Sequence, residues 1–578
     1  MKQRSSVKKV LKYLKPYRFL LILAVLFAIV SVSLTLYIPV LVGNAIDHII
    51  GKGNVGFEDV AKILMYIGIA VVGVTVCQWL MTYFVNLVSF RTVRDLRRAV
   101  FRKLNTVPLS YIDTHAHGDL ISRVINDVDA VGDGLTQMFL QLFSGIVTIV
   151  GTLVFMLMID WRIALAVFFL TPLSLFVAGF IGKLSAKRFR GQQILQGEIS
   201  SYVEEYVGNQ RVVKAFAYER QACGDFDKYN TELYTVGFKA QYAGALANPT
   251  TRLVNAIVYA AVGIIGALAV LSNTLTVGGL SCFLTYANQY TKPFNEVTGV
   301  LTQLQTGIAA AGRVFEVLEA ENESSDAENT AEPAHRGEVR LEDVSFSYVP
   351  EKPLIRHFSL NVKSGTHVAI VGPTGCGKTT LINLLMRFYD VNSGRILVDG
   401  EDIRDMKRDE LRRRYGMVLQ DSWLFHGTIR ENLRYGNENA TDEEIVAAAK
   451  AAYAHSFIRR MPNGYDTVIS EGGGNLSQGQ KQLLCIARAM LTNPEILILD
   501  EATSSIDTLT EIRVQKAFAK MMSGRTSFVV AHRLSTIKES DIILVMRDGN
   551  IVEQGSHKEL LNKKGFYHEL YHSQFNMT

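Results

Sequence analysis

Uncharged apolar runs of bilayer length constrain this chain more than any other feature. They occupy residues 19–42, 63–90, 135–159 and 163–182, and a fifth run, 253–291, is too long for one crossing. A membrane span needs about 20 mostly apolar residues. The fifth run carries turn residues at Ser272, Asn273 and Thr274 and at Gly278 and Gly279, so it covers a fifth span and much of a sixth. The expected architecture is a membrane α-helical bundle of six transmembrane helices with both its ends on one side.

That side is cytosolic by the positive-inside rule. Lys2, Arg4, Lys8, Lys9, Lys12, Lys15 and Arg18 precede the first span, and Arg91, Arg94, Arg97, Arg98, Arg102 and Lys103 follow the second. The connection 43–59 carries only Lys52, and the third and fourth spans are joined by Asp160, Trp161 and Arg162, a short outer turn with an interfacial aromatic. The basic N-terminus resembles a secretory signal, but the apolar run behind it is too long and lacks a small-residue cleavage site. With no extra domain ahead of residues 1–17, a built-in leader peptidase is not expected. Two long connections, 91–134 and 183–252, fall on the cytosolic side and read as helices projecting from the bilayer. An extension of about 17 residues reaches roughly 25 Å.

At 578 residues the chain exceeds what one core organises. Its average composition, 48% hydrophobic and 20% charged, hides two unlike halves. Residues 1–318 form the membrane domain. Residues 319–336 are an acidic linker rich in Asn, Ser and Ala. Residues 337–578 read as a soluble α/β domain with a largely parallel sheet, from β-rich runs at 368–371, 496–499 and 526–530 that alternate with helical patterns. A net charge of +5 gives no argument for a nucleic-acid partner. The five cysteines, Cys77, Cys223, Cys282, Cys376 and Cys485, are scattered without metal-ligand spacing and read as reduced.

The strongest motif is Gly372, Pro373, Thr374, Gly375, Cys376, Gly377, Lys378 and Thr379, between an apolar strand and a helix that begins near Thr380. This is the phosphate loop in its confirming context: glycines let backbone N–H groups converge on phosphates, Lys378 offers a point charge, and the Thr379 hydroxyl suits Mg²⁺. The run 496–501 is a buried strand ending in Asp500 and Glu501. A strand needs no carboxylates for its fold, so Asp500 is read as part of the Mg²⁺ shell, directly or through water, and Glu501 as the group that polarises the attacking water. His532 follows the strand 526–531. Asn475, Leu476, Ser477, Gln478, Gly479 and Gln480 open an amphipathic helix, a second anion-binding helix start on the same domain.

With these motifs in this order the chain resembles the ATP-binding-cassette superfamily over its full length, and its exporter branch in particular. The resemblance implies a Walker A loop at 372–379 and a Walker B strand with catalytic glutamate at 496–501. It implies a signature at 476–480, a Q-loop glutamine at Gln420, which also reaches the metal, a D-loop at 504–507 and a switch histidine at His532. ATP and Mg²⁺ are the implied ligands. Tyr348 matches the aromatic that stacks on adenine, and Ser477, Gly479, Gln480 and Asp507 match residues that meet the nucleotide. Glu471 falls where exporters place a loop that touches the membrane domain. Residues 118–123 and 207–216 resemble the two intracellular coupling loops. One departure stands out: Gln478 replaces the usual glycine at the third signature position.

The family resemblance implies a dimer of half-transporters in the bacterial cytoplasmic membrane, with the ATPase domain in the cytosol, exporting or flipping amphipathic drugs or lipids by alternating access. The altered signature favours a heterodimer in which this chain is the catalytically competent subunit. A homodimer that tolerates Gln478 is the competing arrangement. Other readings in play are an exporter-fold importer, a peptide exporter, an ATP-gated channel or regulator, and a soluble repair or translation ATPase, which the spans oppose. In the sixth span Lys292 and Glu296 lie one turn apart beside Pro293. Either they form an ion pair near the inner boundary or they line the translocation path.

Overall fold

The computed structural model describes residues 2–49, 56–324, 326, 336–419, 422–500, 506–531 and 534–575. Some side chains inside helices, those of Glu296 and Glu471 among them, lie outside the description as well. The chain divides into two compact units, Met1–Thr106 with His115–Ala320, and Val107–Thr114 with Glu321–Thr578.

Long helices build the first unit: α1 (Arg18–Asp47), α2 (Phe57–Leu104), α3 (His117–Ile159), α4 (Trp161–Gly208), α5 (Ala247–Leu271) and α6 (Val277–Leu318). Among the described residues, Ser6–Asp47, Phe57–Leu104, His117–Ile159 and Arg252–Leu271 are long and apolar enough to cross a membrane. Helices α4 and α6 contain the remaining runs read from the sequence. Leu64, Ile69, Val72 and Trp79 on α2 are exposed, an apolar face that suits hydrocarbon rather than water.

These helices outrun the bilayer. At 48 residues, α2 and α4 are each about 72 Å long, against a hydrocarbon core of about 30 Å. The surplus of α2 is its basic stretch beyond Phe90. Helix α4 returns through Gln210–Ala215 and the helix Glu219–Ala245, and Val212 and Phe216 are exposed at that turn.

Two kinds of contact fix α6 in place. Where it begins, a Cβ on Gly278 would stand 2.0 Å from the Gly43 carbonyl oxygen, so only glycine permits this approach to α1. Asp47 accepts a hydrogen bond from the Gly278 N–H at 2.7 Å. Nearer its other end, a Cβ on Gly307 would lie 3.0 Å from the Ala130 carbonyl oxygen on α3. Beyond that contact α3 and α6 are joined by charge. Arg313 donates to both carboxylate oxygens of buried Asp127 at 2.7 and 2.5 Å, and buried Arg123 pairs with Asp119 at 2.8 Å and Glu316 at 3.1 Å. Arg123 and Asp127 bound a turn of α3 wound as π-helix, which turns both side chains towards α6.

In the second unit the parallel sheet expected from the apolar runs is present. Its strands are β1 (Val339–Phe346), β2 (Ile355–Val362), β3 (His367–Val371), β4 (Ser393–Val398), β5 (Tyr415–Val418), β6 (Ile496–Asp500), β7 (Thr526–Val530), β8 (Ile542–Arg547) and β9 (Asn550–Gly555). One sheet runs in the order β9–β8–β3–β7–β6–β5, parallel except for β9. A second, antiparallel sheet has the order β2–β1–β4 followed by Glu401–Asp402. Val368, Ile370, Leu381, Ile498 and Phe528 join strands and helix in one buried cluster. The start of the linker is tied to this unit. Buried Arg408 donates to the Ser324 carbonyl at 2.6 Å and to Asp326 at 2.7 Å.

Replacing Arg313 by Ala leaves the Asp127 carboxylate buried and unpaired, at a cost on the order of 3 kcal/mol. The detergent-purified R313A protein should therefore unfold at a lower temperature, and the D127N/R313Q double variant should recover part of that loss. A double variant less stable than R313A would contradict this account of the α3–α6 contact.

Candidate ATP site

Parallel register brings the ends of neighbouring strands to one edge. Val530 on β7 stands opposite both Ile370 on β3 and Asp500 on β6, and the Ala531 N–H donates to the Ile370 carbonyl at 3.2 Å. Val418 near the end of β5 stands opposite Leu499. Adjacent strands lie about 4.8 Å apart. The chain therefore enters the glycine loop, leaves Asp500 and leaves Ala531 along one C-terminal edge, where open α/β sheets bind ligands. Glu501, His532 and Gln420 lie outside the described residues. Each follows one of these strand ends within two residues in sequence.

Between β3 and the helix α7 (Lys378–Leu385) the loop is shaped by its glycines. Gly375 and Gly377 sit at φ +81° and +99°, where a side chain is strained. A Cβ on Gly372 would meet the Met546 carbonyl oxygen at 2.3 Å and Cys376 Sγ at 2.7 Å. Cys376 is buried beneath the loop, so its thiol serves packing, while Pro373, Thr374 and Gly375 are exposed. The Lys378 ammonium folds back to donate to the carbonyls of Gly372 at 2.8 Å and Pro373 at 2.9 Å. Thr379 is exposed in the first turn of α7, and Thr380 is buried.

Tyr348 stands beside this loop. Its hydroxyl donates to Thr380 Oγ1 at 3.2 Å and accepts from Asn383 Nδ2 at 3.3 Å. Its half-exposed ring meets Phe346 and Tyr389 edge-on, at centroid distances of 4.9 and 5.0 Å. The Tyr389 hydroxyl donates to Asp113 at 2.6 Å, within the same unit, because residues 107–114 belong to it. Sequence reasoning missed this pair: a tyrosine and an aspartate 276 positions apart leave no local signal.

The signature residues open α8 (Gln478–Leu491) through a capping box. Ser477 Oγ accepts from the Gln480 N–H at 3.3 Å, and Gln480 Oε1 accepts from the Ser477 N–H at 3.0 Å. Gly479 is buried, and a Cβ there would stand 2.4 Å from Thr510 Cγ2 and 2.9 Å from Ile506 Cγ2. This glycine thus lets α8 meet α9 (Thr508–Met522) closely. Ser477 and Gln478 are exposed. Asp507 caps α9 by accepting from the Thr510 N–H at 2.9 Å, and that hydrogen bond holds its carboxyl below the usual range.

Residues 21–294 match the family model described as ABC transporter transmembrane region, and residues 355–504 match the one described as ABC transporter. The chain is 41% identical to the ABC transporter ATP-binding protein YfiC of Bacillus subtilis, over 99% of this chain and 94% of that protein. The chain belongs to the ABC transporter family. A fatty acid ABC transporter ATP-binding/permease protein of Mycobacterium bovis is 39% identical over 98% of this chain and 96% of its own length. The solved structure of a bacterial Atm1-family ABC exporter with ATP bound covers 96% of this chain and 98% of its own, with a TM-score of 0.79 and 29% identity. This ABC transporter is an integral membrane ATPase of exporter fold, which binds ATP and couples its hydrolysis to transport. The fold implies assembly as a dimer.

The transporter's signature geometry separates two neighbouring positions. Gly479→Ala should overpack the α8–α9 contact by about 1–3 kcal/mol and lower both melting temperature and ATPase rate. Gln478→Gly, on an exposed side chain, should leave the stability within about 1 kcal/mol of wild type, with little change in melting temperature. Equal losses in both variants would contradict the packing role of Gly479.

Proposed function

We propose that the transporter exports or flips hydrophobic and amphipathic compounds, lipids or drugs, across the bacterial cytoplasmic membrane, with its ATPase domain in the cytosol. The observation that carries the ATP-driven part is the single sheet edge shared by the glycine loop, Asp500 and the end of β7. On this reading the loop from Gly372 to Thr379 binds the phosphates and Tyr348 stacks on the base. Glu501 orients the attacking water, and His532 and Gln420 complete the site. Thr379 and Asp500 offer hard oxygen donors on that edge, which suit Mg²⁺, with Gln420 as a further oxygen. Such an ion, when bound with ATP, neutralises phosphate charge.

Ser477 and Gln478 present the signature helix outward, as expected of a helix start that meets a nucleotide held by a second chain. In this arrangement Ser477, Gly479 and Gln480 complete the partner's site, and Asp507 lies at the shared boundary. Bound ATP favours the closed pair through differential affinity, and hydrolysis releases it. Residues 107–114 and the exposed turn at Val212 and Phe216 fit the role of coupling segments. The exporter direction and the amphipathic substrate class are supported by the Atm1-family neighbour and the fatty acid transporter relative.

The dimer partner is proposed to be a different half-transporter. Gln478 would then face only the partner's nucleotide, while this chain's Glu501 would face an orthodox signature. The exposure of Gln478 also lets two copies of this chain pair. Expression of the chain alone decides: the heterodimer predicts weak, unstimulated ATPase, whereas a stable dimer with two equivalent, substrate-stimulated sites contradicts it.

For the catalytic assignment, Glu501→Gln should retain ATP binding while hydrolysis falls by about 10² to 10⁴. Wild-type turnover in E501Q, measured by phosphate release, would remove Glu501 from its role.

A further inference from the structure

Two polar cavities flank one turn of α6. The first, about 350 Å³, lies among α1, α2, α3 and α6 and is lined in part by Ser31, Thr35, Gln78, Gln141, Gln289 and Lys292. The second, about 800 Å³, lies between α5 and α6 and is lined in part by Arg252, Asn255, Gln289 and Lys292. Gln289 and Lys292 belong to both. Lys292 sits about 22 Å along α6 from Val277, within the depth of a 30 Å hydrocarbon layer.

Polar groups at this turn are unspent. Gln289 Oε1 and Asn255 Oδ1 are buried without a hydrogen-bond partner. Pro293 lacks an N–H, so the Gln289 carbonyl loses its intrahelical donor, and Pro39 in α1 does the same to Thr35. Such groups persist at membrane depth where water or a ligand meets them. Among the described residues the charge in both cavities has one sign: Lys292 lines both and Arg252 the second, and no described carboxylate lines either. Neither cation makes an ion pair among the described residues. Both side chains are exposed where they line the cavities, and a cation at membrane depth without an ion pair calls for an anion.

We propose that Lys292 is the headgroup site for an acidic amphiphile. The carboxylate or phosphate meets the Lys292 ammonium and the amides of Gln289 and Gln78. The hydrocarbon chain lies along the apolar wall of Val32, Leu36, Met81 and Leu140. This assignment rests on the reading that the transporter carries amphipathic compounds, and it names the charge of their headgroup.

The test uses the full-length chain purified together with whatever half-transporter co-purifies with it, in proteoliposomes, with ATPase stimulation measured against oleate, oleoyl lysophosphatidate and uncharged monoolein. In K292Q the half-stimulating concentration of the acidic amphiphiles should rise about tenfold, a loss of about 1.4 kcal/mol, while that of monoolein is unchanged. K292R should restore the acidic response, which separates charge recognition from folding. A selective effect on oleate alone identifies a carboxylate site, and one on lysophosphatidate alone a phosphate site. An equal shift for all three probes, or none, overturns the proposal. So does the same selective rise in E296Q, which would make Lys292 the partner of Glu296. Failure of every probe to stimulate the wild type overturns the amphipathic reading itself, and this inference with it.

Discussion

The thickness of the hydrocarbon layer is the constraint on which the rest of this protein depends. A helix about 72 Å long cannot be hidden in about 30 Å of hydrocarbon, so more than half of α2 and of α4 must stand in water. The sequence of α2 obeys this: its apolar run stops at Phe90, and basic residues occupy the remainder. The surplus needs its own cohesion, because no lipid packs it. Glycine approaches serve α6 where Gly43 meets Gly278 and where Ala130 meets Gly307. In the polar region the buried charges of Arg123 and Asp127 take over. Beyond the end of α2, residues 107–114 join the contact network of the ATPase unit, where Asp113 meets Tyr389.

Within that unit the chemistry follows from strand direction. A parallel sheet sends its C-terminal ends to one edge, so residues far apart in sequence, Gly372 and Asp500 among them, converge without any long-range side-chain contact to hold them. The glycine loop is shaped by backbone conformation at Gly375 and Gly377 and by a close carbonyl at Gly372. Tyr348 links this edge to Tyr389 through perpendicular rings, and Tyr389 in turn to Asp113. Occupancy beside Tyr348 therefore has a short physical route to residues 107–114.

Much of this was legible in the sequence because the signals are local. Span length, basic flanks and the spacing of glycines around Lys378 are all contained within a few turns of chain. The strands β3, β6 and β7 announced themselves as short apolar runs ending in polar residues. What escaped was of two kinds. Pairs such as Asp127 with Arg313, Arg408 with Asp326 and Tyr389 with Asp113 depend on tertiary approach and leave no periodicity. Other residues carry a second duty that a motif does not reveal. Gly479 was read as facing phosphate, and the structure buries it against Ile506 and Thr510. Gln480 closes a capping box, and Asp507 caps α9. The antiparallel sheet of β1, β2 and β4 was also not foreseen, because its alternating pattern resembles any half-buried strand set.

The central claim is that energy from ATP in one unit moves an amphiphile through the other. The direct measurement is uptake of labelled oleate into inside-out vesicles containing the purified transporter. ATP, a non-hydrolysable ATP analogue and no nucleotide are compared in parallel. The account predicts sustained uptake above the passive level with ATP alone, and no continued accumulation with the analogue. Uptake that is the same in all three conditions, alongside brisk ATP hydrolysis, would contradict it.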